Sequence, residues 1–106
     1  MAVVKEHGVR LWMDERPLEM MIDETGVLHL SGGGWPYWGG AVLSVQPADL
    51  SLEGAVAVYL THDGRVIVSD VELSYGDDLE TFDLLAWRDR DGCWNIKRLI
   101  VEGRPE

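Results

Sequence analysis

Turn sequences at short intervals are the feature that most constrains the fold of this chain. Asp-Gly pairs at residues 63–64 and 91–92 are the strongest, and further turn sequences lie at residues 14–17, 24–26 and 76–78. Between them, apolar residues alternate with polar ones or form short β-branched runs, as in antiparallel strands. We predict an all-β or β-rich α+β fold, a small antiparallel barrel or strongly curved sheet of about seven or eight strands in meander hairpins. One short helical turn is expected near residues 47–50.

Size and composition limit the class of protein. The 106 residues suffice for one domain, and a hydrophobic content of 46 % is that of a folded globular protein. The single cysteine, Cys93, cannot form an internal disulfide, and neither a leader nor a membrane-spanning apolar run is evident. We therefore expect one β-rich domain over residues 1–106, located in the cytoplasm, with no cofactor.

The turn positions also predict which strands pair. A type I′ turn at residues 63–64 and a four-residue loop at 76–79 would join three successive strands. The predicted cross-strand pairs are Thr61 with Val66, Tyr59 with Val68, Tyr75 with Glu80, Leu73 with Phe82 and Val71 with Leu84. Around residues 91–92, loops of two or four residues both put Trp87 on the same face as Trp94 and Arg98. Residues 9–13 and 18–22 would pair across the first turn.

The predicted sheet has two different faces. The core face consists of Val56, Val58, Leu60, Ile67, Val71, Leu73, Phe82, Leu84, Ala86, Leu99 and Val101. The opposite face mixes aromatic and charged side chains: Tyr59, Asp70, Glu72, Asp83, Trp87, Trp94 and Arg98. Because apolar side chains lie on both faces, the sheet must be covered or closed, and we expect the N-terminal strands to do this.

The distribution of charge points toward a cationic partner. Residues 49–83 contain nine acidic residues and one basic residue, which accounts for eight of the ten net negative charges. Acidic proteins are poor ligands for nucleic acid, since Lys and Arg supply most of that affinity. We expect no direct nucleic-acid binding and no membrane association. A basic protein would instead be steered toward such a surface.

Asp70, Glu72 and Asp83 are the sharpest acidic cluster, because the predicted register sets Glu72 directly opposite Asp83. Three interpretations stay open. The cluster can be a solvated row of ion pairs completed by Arg98, or a subsite for a lysine or arginine of a basic partner. A divalent-metal site is the weakest interpretation, because no ligand loop such as an EF-hand is present.

Residues 31–40 form a second candidate site, because five glycines and a proline surround Trp35, Tyr37 and Trp38. Exposed aromatic residues are efficient contact anchors for a partner. The alternative is a loop that folds its aromatic rings back over the sheet. The glycines lack the spacing of a phosphate-binding loop.

Catalytic groupings are scarce in this sequence. His7, His29 and His62 lie far apart, and no cysteine or histidine stands at metal-ligand spacing. Cys93 is expected to be a partly buried bystander thiol. We therefore predict no catalytic residues and no metal ligands.

Residues 87–96 resemble the closing hairpin of the cone-shaped SnoaL-like folds, in which a Gly-x-Trp-x-Ile strand follows a charged turn. Here the motif comprises Gly92, Trp94 and Ile96. The resemblance covers about a tenth of the chain, and residues 8–30 indicate strands where those folds have N-terminal helices. Neither an activity nor residue roles are transferred.

Small size, concentrated acidity and the lack of a catalytic grouping lead to one main hypothesis. The chain is a non-enzymatic acidic protein-binding module or inhibitor that masks a basic site on a partner, as an immunity protein, an anti-defence inhibitor or a nucleic-acid mimic does. The alternative is a β-barrel that binds a small molecule or carbohydrate in a pocket lined by Tyr59, Trp87 and Trp94.

Overall fold

The computed structural model describes residues 4–73 and 81–102, in which strands dominate. The strands are β1 (Lys5–Leu11), β2 (Met20–Ile22), β3 (Val27–Leu30), β4 (Gly33–Pro36), β5 (Val42–Val45), β6 (Ala48–Ser51), β7 (Ala57–Thr61), β8 (Val66–Ser69), β9 (Thr81–Arg88) and β10 (Trp94–Val101). A 3₁₀ turn, Trp38–Gly40, joins β4 to β5. None of the described elements is a helix able to cross a membrane.

The described strands form three sheets. The largest has the strand order β1-β10-β9-β7-β8, the second β2-β3-β6, and the third is the β4-β5 hairpin. The all-β prediction is confirmed. The prediction of one barrel or curved sheet with seven or eight strands is wrong, because ten described strands are divided among three sheets. The segment expected to form a helical turn near residues 47–50 belongs to β6.

Strand β7 is the centre of the large sheet, and all five of its residues are buried. It lies between β8 and β9, and it pairs antiparallel with both. A strand covered on both faces needs continuous rather than alternating hydrophobicity, which explains the apolar run at residues 55–60. The expectation that a second layer covers this sheet is consistent with the core, in which Leu18, Leu28 and Trp35 join Val58 and Leu60.

The turn after β7 differs from its prediction by one residue. A type I′ turn needs a positive φ at both central positions, whereas only glycines have positive φ in the described chain. Asp63 therefore stays in an ordinary conformation, and Gly64 alone is left-handed, with φ at +85°. The resulting three-residue loop places Leu60, rather than Thr61, opposite Val66.

The loop before β10 is one residue longer than the two-residue loop and one residue shorter than the four-residue loop that were expected, and Gly92 in it has φ at +80°. The observed pairs are Trp94 with Arg88, Asn95 with Trp87 and Ile96 with Ala86. A one-residue change of register moves every side chain of a strand to the other face. The predicted shared face of Trp87 with Trp94 and Arg98 is therefore wrong.

The chain does not continue from β8 into an adjacent β9. Strand β9 pairs with β7, and β8 is an edge strand. The predicted pairs of Leu73 with Phe82 and of Val71 with Leu84 are wrong, and Val71 is 55 % exposed. The loop predicted at residues 76–79 and the pair of Tyr75 with Glu80 lie outside the described residues. A strand that is apolar on both faces belongs inside a sheet, and β9 beside β7 makes β7 an inner strand.

Strand β1 also pairs differently from the prediction. It lies parallel to β10 at the edge of the large sheet and does not pair with β2. Side chains at its start contribute to this position, because Lys5 Nζ donates to Asp89 Oδ2 at 2.9 Å and His7 Nε2 lies 2.8 Å from Asn95 Oδ1. Asn95 is 4 % exposed. The segment at residues 9–22 therefore serves two different sheets.

Candidate functional site

A pocket of about 290 Å³ lies on the large sheet over strands β7 and β9. Its walls are mainly aromatic and aliphatic, and two carboxylates also line it. The lining residues are Val56, Ala57, Tyr59, Glu72, Leu73, Thr81, Phe82, Asp83, Leu84 and Trp87. The predicted site residues Tyr59, Glu72, Asp83 and Trp87 therefore share one pocket.

Irregular pairing between β7 and β9 shapes this pocket. Tyr59 pairs with Leu84 and Leu60 with Asp83, and the register shifts on either side of these two pairs. Bulges of this kind bend a strand and change the direction of its side chains. The chain after β8 is held against the same region, because the backbone N–H of Leu73 donates to the Tyr59 hydroxyl at 2.8 Å.

The acidic cluster is only partly assembled. Glu72 is exposed and lines the pocket, together with Asp83. Asp70 is exposed and is not among the lining residues. Asp83 has its own cation, because Lys97 Nζ donates to it at 2.7 Å, and it also accepts from Trp35 Nε1 at 2.9 Å. Glu72 is therefore the exposed carboxylate of the pocket.

The cation beside Asp83 is Lys97. The prediction placed Arg98 there. The one-residue register difference at the last turn explains the exchange, because neighbouring residues of a strand point to opposite faces. Arg98 lies 3.3 Å from Glu6 Oε2 in an ion pair in which both side chains are more than half exposed. This pair contributes little to stability.

Four rings next to the pocket form what we call the aromatic cluster: Tyr37, Trp38, His62 and Phe82. Tyr37 stacks on Trp38 with a centroid distance of 5.4 Å, and the rings of Tyr37 and Phe82 form a T-shaped pair at 4.6 Å. The Tyr37 hydroxyl lies 2.6 Å from Nδ1 of His62. Trp38 is 70 % exposed. The cluster thus presents an indole to solvent on a base of packed rings.

Two predicted site tryptophans, Trp35 and Trp94, lie outside the lining of the pocket and pack in or against the core. Trp35 is 1 % exposed, because the segment expected to be a loop forms β4, in which Trp35 joins the hydrophobic core. Trp94 packs against the core cluster and does not line the pocket. Trp35 has almost no exposed surface, and it serves the site by donating its N–H to Asp83.

Phe82 connects the two candidate sites. It lines the pocket, and its ring lies 5.7 Å from Trp38 and 5.5 Å from His62. The acidic pocket and the exposed aromatic cluster are therefore parts of one surface. The prediction treated them as separate features and placed Phe82 in the core.

The structure also contains a polar cluster that the sequence analysis missed. His29 lies between two carboxylates, with Nε2 2.6 Å from Asp23 Oδ2 and Nδ1 2.6 Å from Asp49 Oδ1. Strand pairing places Asp49 directly opposite His29. These hydrogen bonds, that to Asp23 foremost, raise the pKa of His29 above its ordinary 6.5. Bonds from Thr25 and His29 hold the pKa of Asp23 well below 3.8.

These shifts predict a stability that depends on pH. The stabilisation from a raised histidine pKa is fully present below pH 6.5 and is lost as the pH rises through the folded-state pKa. The stabilisation from the lowered pKa of Asp23 is present above pH 3.8 and is lost in stronger acid. We expect urea unfolding to show a decline from pH 6 to pH 8.5 that is smaller in His29→Gln. A pKa of His29 at or below 6.5 by NMR titration would contradict this account.

Comparison with protein-family models, curated protein sequences and solved structures gave no significant match. Among residues 4–73 and 81–102, no group of three His, Cys, Asp or Glu side chains is arranged to hold a metal ion. The function is therefore inferred from the chemistry of the pocket and the aromatic cluster.

Proposed function

We propose that this protein is a non-enzymatic acidic binding module that receives a lysine or arginine of a basic partner protein and thereby masks the partner's basic site. The observation that carries the proposal is the single surface on which an aromatic pocket, the exposed carboxylate of Glu72 and the exposed indole of Trp38 adjoin. Aromatic walls attract a cation, and a carboxylate binds its N–H groups.

The size of the pocket supports a side chain as its occupant. Sites for drug-sized ligands usually have volumes of about 300–1,000 Å³. At about 290 Å³ the pocket is at the lower limit of this range and is large enough for one long basic side chain. Trp38 is placed to contact the partner outside the pocket, as interface anchors do.

The acidic residues at positions 49–83 contribute unequally to the proposed interface. Three of them already have cationic partners within the protein: Asp49 with His29, Asp63 with Arg65, and Asp83 with Lys97. Within residues 4–73 and 81–102, no cation is seen paired with the exposed carboxylates of Glu53, Asp70 and Glu72. The net charge of −10 steers a basic partner, and Glu72 gives the contact its position.

The binding of an arginine-rich peptide to the Glu72→Gln variant tests the proposal. We expect titration calorimetry to show about tenfold weaker binding than for the wild type, since a charged hydrogen bond is lost. Glu53→Gln removes the same charge from an exposed position outside the pocket and controls for general attraction. Equal weakening by both substitutions would show nonspecific binding and contradict the proposal.

A pocket for a small molecule or carbohydrate is the second candidate, favoured by the presence of Tyr59 and Trp87 in the lining. Such a ligand would change the fluorescence of Trp87 with little dependence on salt, because dispersion and stacking would dominate its binding. A basic peptide would instead bind much less tightly at high salt. The comparison of both ligand classes at two salt concentrations separates the candidates.

A further inference from the structure

The outer edge of β1 offers a second interaction surface, outside the lining of the pocket, although the ring of His7 on β1 lies 5.0 Å from that of Trp87. Strand β1 ends the large sheet, and no described strand pairs with its outer side. The carbonyl of Leu11 accepts from the N–H of Glu102, so it points toward β10. Backbone groups of successive residues point to opposite sides of a strand. Those of Glu6, Gly8 and Arg10 therefore point to the open edge.

The charges along this edge favour a second copy as the partner and Gly8 as the centre of pairing, since pairing about His7 or Val9 would leave Glu6 and Arg10 without opposite charges. If two copies of β1 pair antiparallel about Gly8, Glu6 of each copy stands opposite Arg10 of the other, and all outward-pointing groups can be bonded. Pairing centred on Glu6 or on Arg10 would set like charges opposite each other, which is destabilising. Charged edge strands normally resist pairing. Here the charges are self-complementary about the glycine.

The centre of this pairing also has an apolar component. A Cβ at Gly8 would lie 2.7 Å from Cδ1 of Ile100, so the isoleucine side chain extends across the glycine. Ile100 is 42 % exposed. In an antiparallel pair the two Gly8 Cα atoms would be about 5.5 Å apart, which brings the two Ile100 side chains into contact. A residue with a side chain at position 8 would separate them.

We propose that two copies of this protein associate through β1, antiparallel about Gly8, and extend the large sheet across both copies. Two ion pairs of Glu6 with Arg10 fix the register, with each Glu6 also keeping its contact to Arg98 of its own copy, and Ile100 packs on its counterpart at the two-fold axis. The strand is already ordered for this role, because it pairs with β10 along its length and Lys5 and His7 bond to Asp89 and Asn95. The pocket over β7 and β9 stays free, so the dimer is bivalent.

Charge reversal at the two ends of the strand tests the dimer. Sedimentation of the full chain should show concentration-dependent dimerisation that Glu6→Arg or Arg10→Glu each weakens about tenfold or more, because two attractive pairs become repulsive. Mixing the two variants should restore association, since every Arg then faces a Glu. The double variant Glu6→Arg with Arg10→Glu should also dimerise.

Matched controls separate pairing from net charge. Glu24→Arg and Arg90→Glu make the same charge changes at exposed turn positions and should leave dimerisation unchanged. Circular dichroism should show that all variants are folded, because Glu6 and Arg10 are exposed. A wild type that stays monomeric at about 1 mM, where even a weak complex would form, would overturn the proposal. Failure of the mixed variants to associate would overturn it as well.

Discussion

Replacing Trp35 with alanine lowers the free energy of unfolding by about 3–5 kcal/mol, the usual range for deleting a buried tryptophan. The residue is 1 % exposed and joins the core shared by the three sheets. Its loss also removes the N–H bond to Asp83, which leaves that half-buried carboxylate with Lys97 and the Leu84 N–H. Urea denaturation monitored by circular dichroism measures the change.

A neighbouring tryptophan provides the control. Trp38 is three residues away in the same glycine-rich segment but 70 % exposed, so Trp38→Ala should change stability by only about 0.5 kcal/mol. Trp35→Phe retains most of the ring volume and should cost about 1–3 kcal/mol through the lost hydrogen bond. Similar losses for Trp35→Ala and Trp38→Ala would show that β4 is not packed as described.

Removing the indole of Trp87 should weaken the binding of an arginine-rich peptide about 30-fold, or about 2 kcal/mol, as expected for a central interface residue. Trp87 forms a wall of the pocket that Glu72 also lines, and its ring would stack on the guanidinium. The weakening of peptide binding by Trp87→Ala should remain at high salt, whereas the weakening by Glu72→Gln should become smaller. The reason is that salt screens charge attraction more than stacking. Calorimetry at two salt concentrations measures both effects.

Trp12→Ala is the matched control for Trp87→Ala. Trp12 is 50 % exposed and does not line the pocket. Its removal should leave peptide affinity unchanged, and both variants should keep the far-ultraviolet spectrum of the wild type. If Trp87→Ala is folded and binds the peptide as the wild type does, the pocket is not the receiving site.

The sequence was sufficient to predict the strands beside the two Asp-Gly pairs, but not β4, β6 or the register. Turn residues and alternation locate the strand around each Asp-Gly pair, and the continuous run at residues 55–60 marks the central strand. The loop length after Asp91 was ambiguous, because glycine suits a type I′ turn and also the left-handed end of a three-residue loop. That difference of one residue exchanged Arg98 for Lys97 beside Asp83.

Only part of the candidate site was predicted, because the rest depends on how distant strands pair. Tyr59, Glu72, Asp83 and Trp87 were all identified, and they share the pocket. The role of Phe82 depends on the irregular pairing of β9 with β7, which no local pattern encodes. His29 likewise gains the carboxylate of Asp49 from β6, whereas Asp23 comes from the turn before β3. Long-range pairing, not residue type, was the missing information.

The most direct test of the proposed function uses the indole N–H resonances of the five tryptophans during titration with an arginine-rich peptide. The signals of Trp87, in the pocket, and Trp38, in the aromatic cluster, should shift as the peptide binds. The signal of Trp35, whose N–H donates to the pocket carboxylate of Asp83, should shift as well, whereas those of Trp94, which packs against the core, and of Trp12, which does not line the pocket, should stay in place. Equal small shifts of all exposed indoles, or no shift of Trp87 at saturation, would contradict the assignment of this pocket.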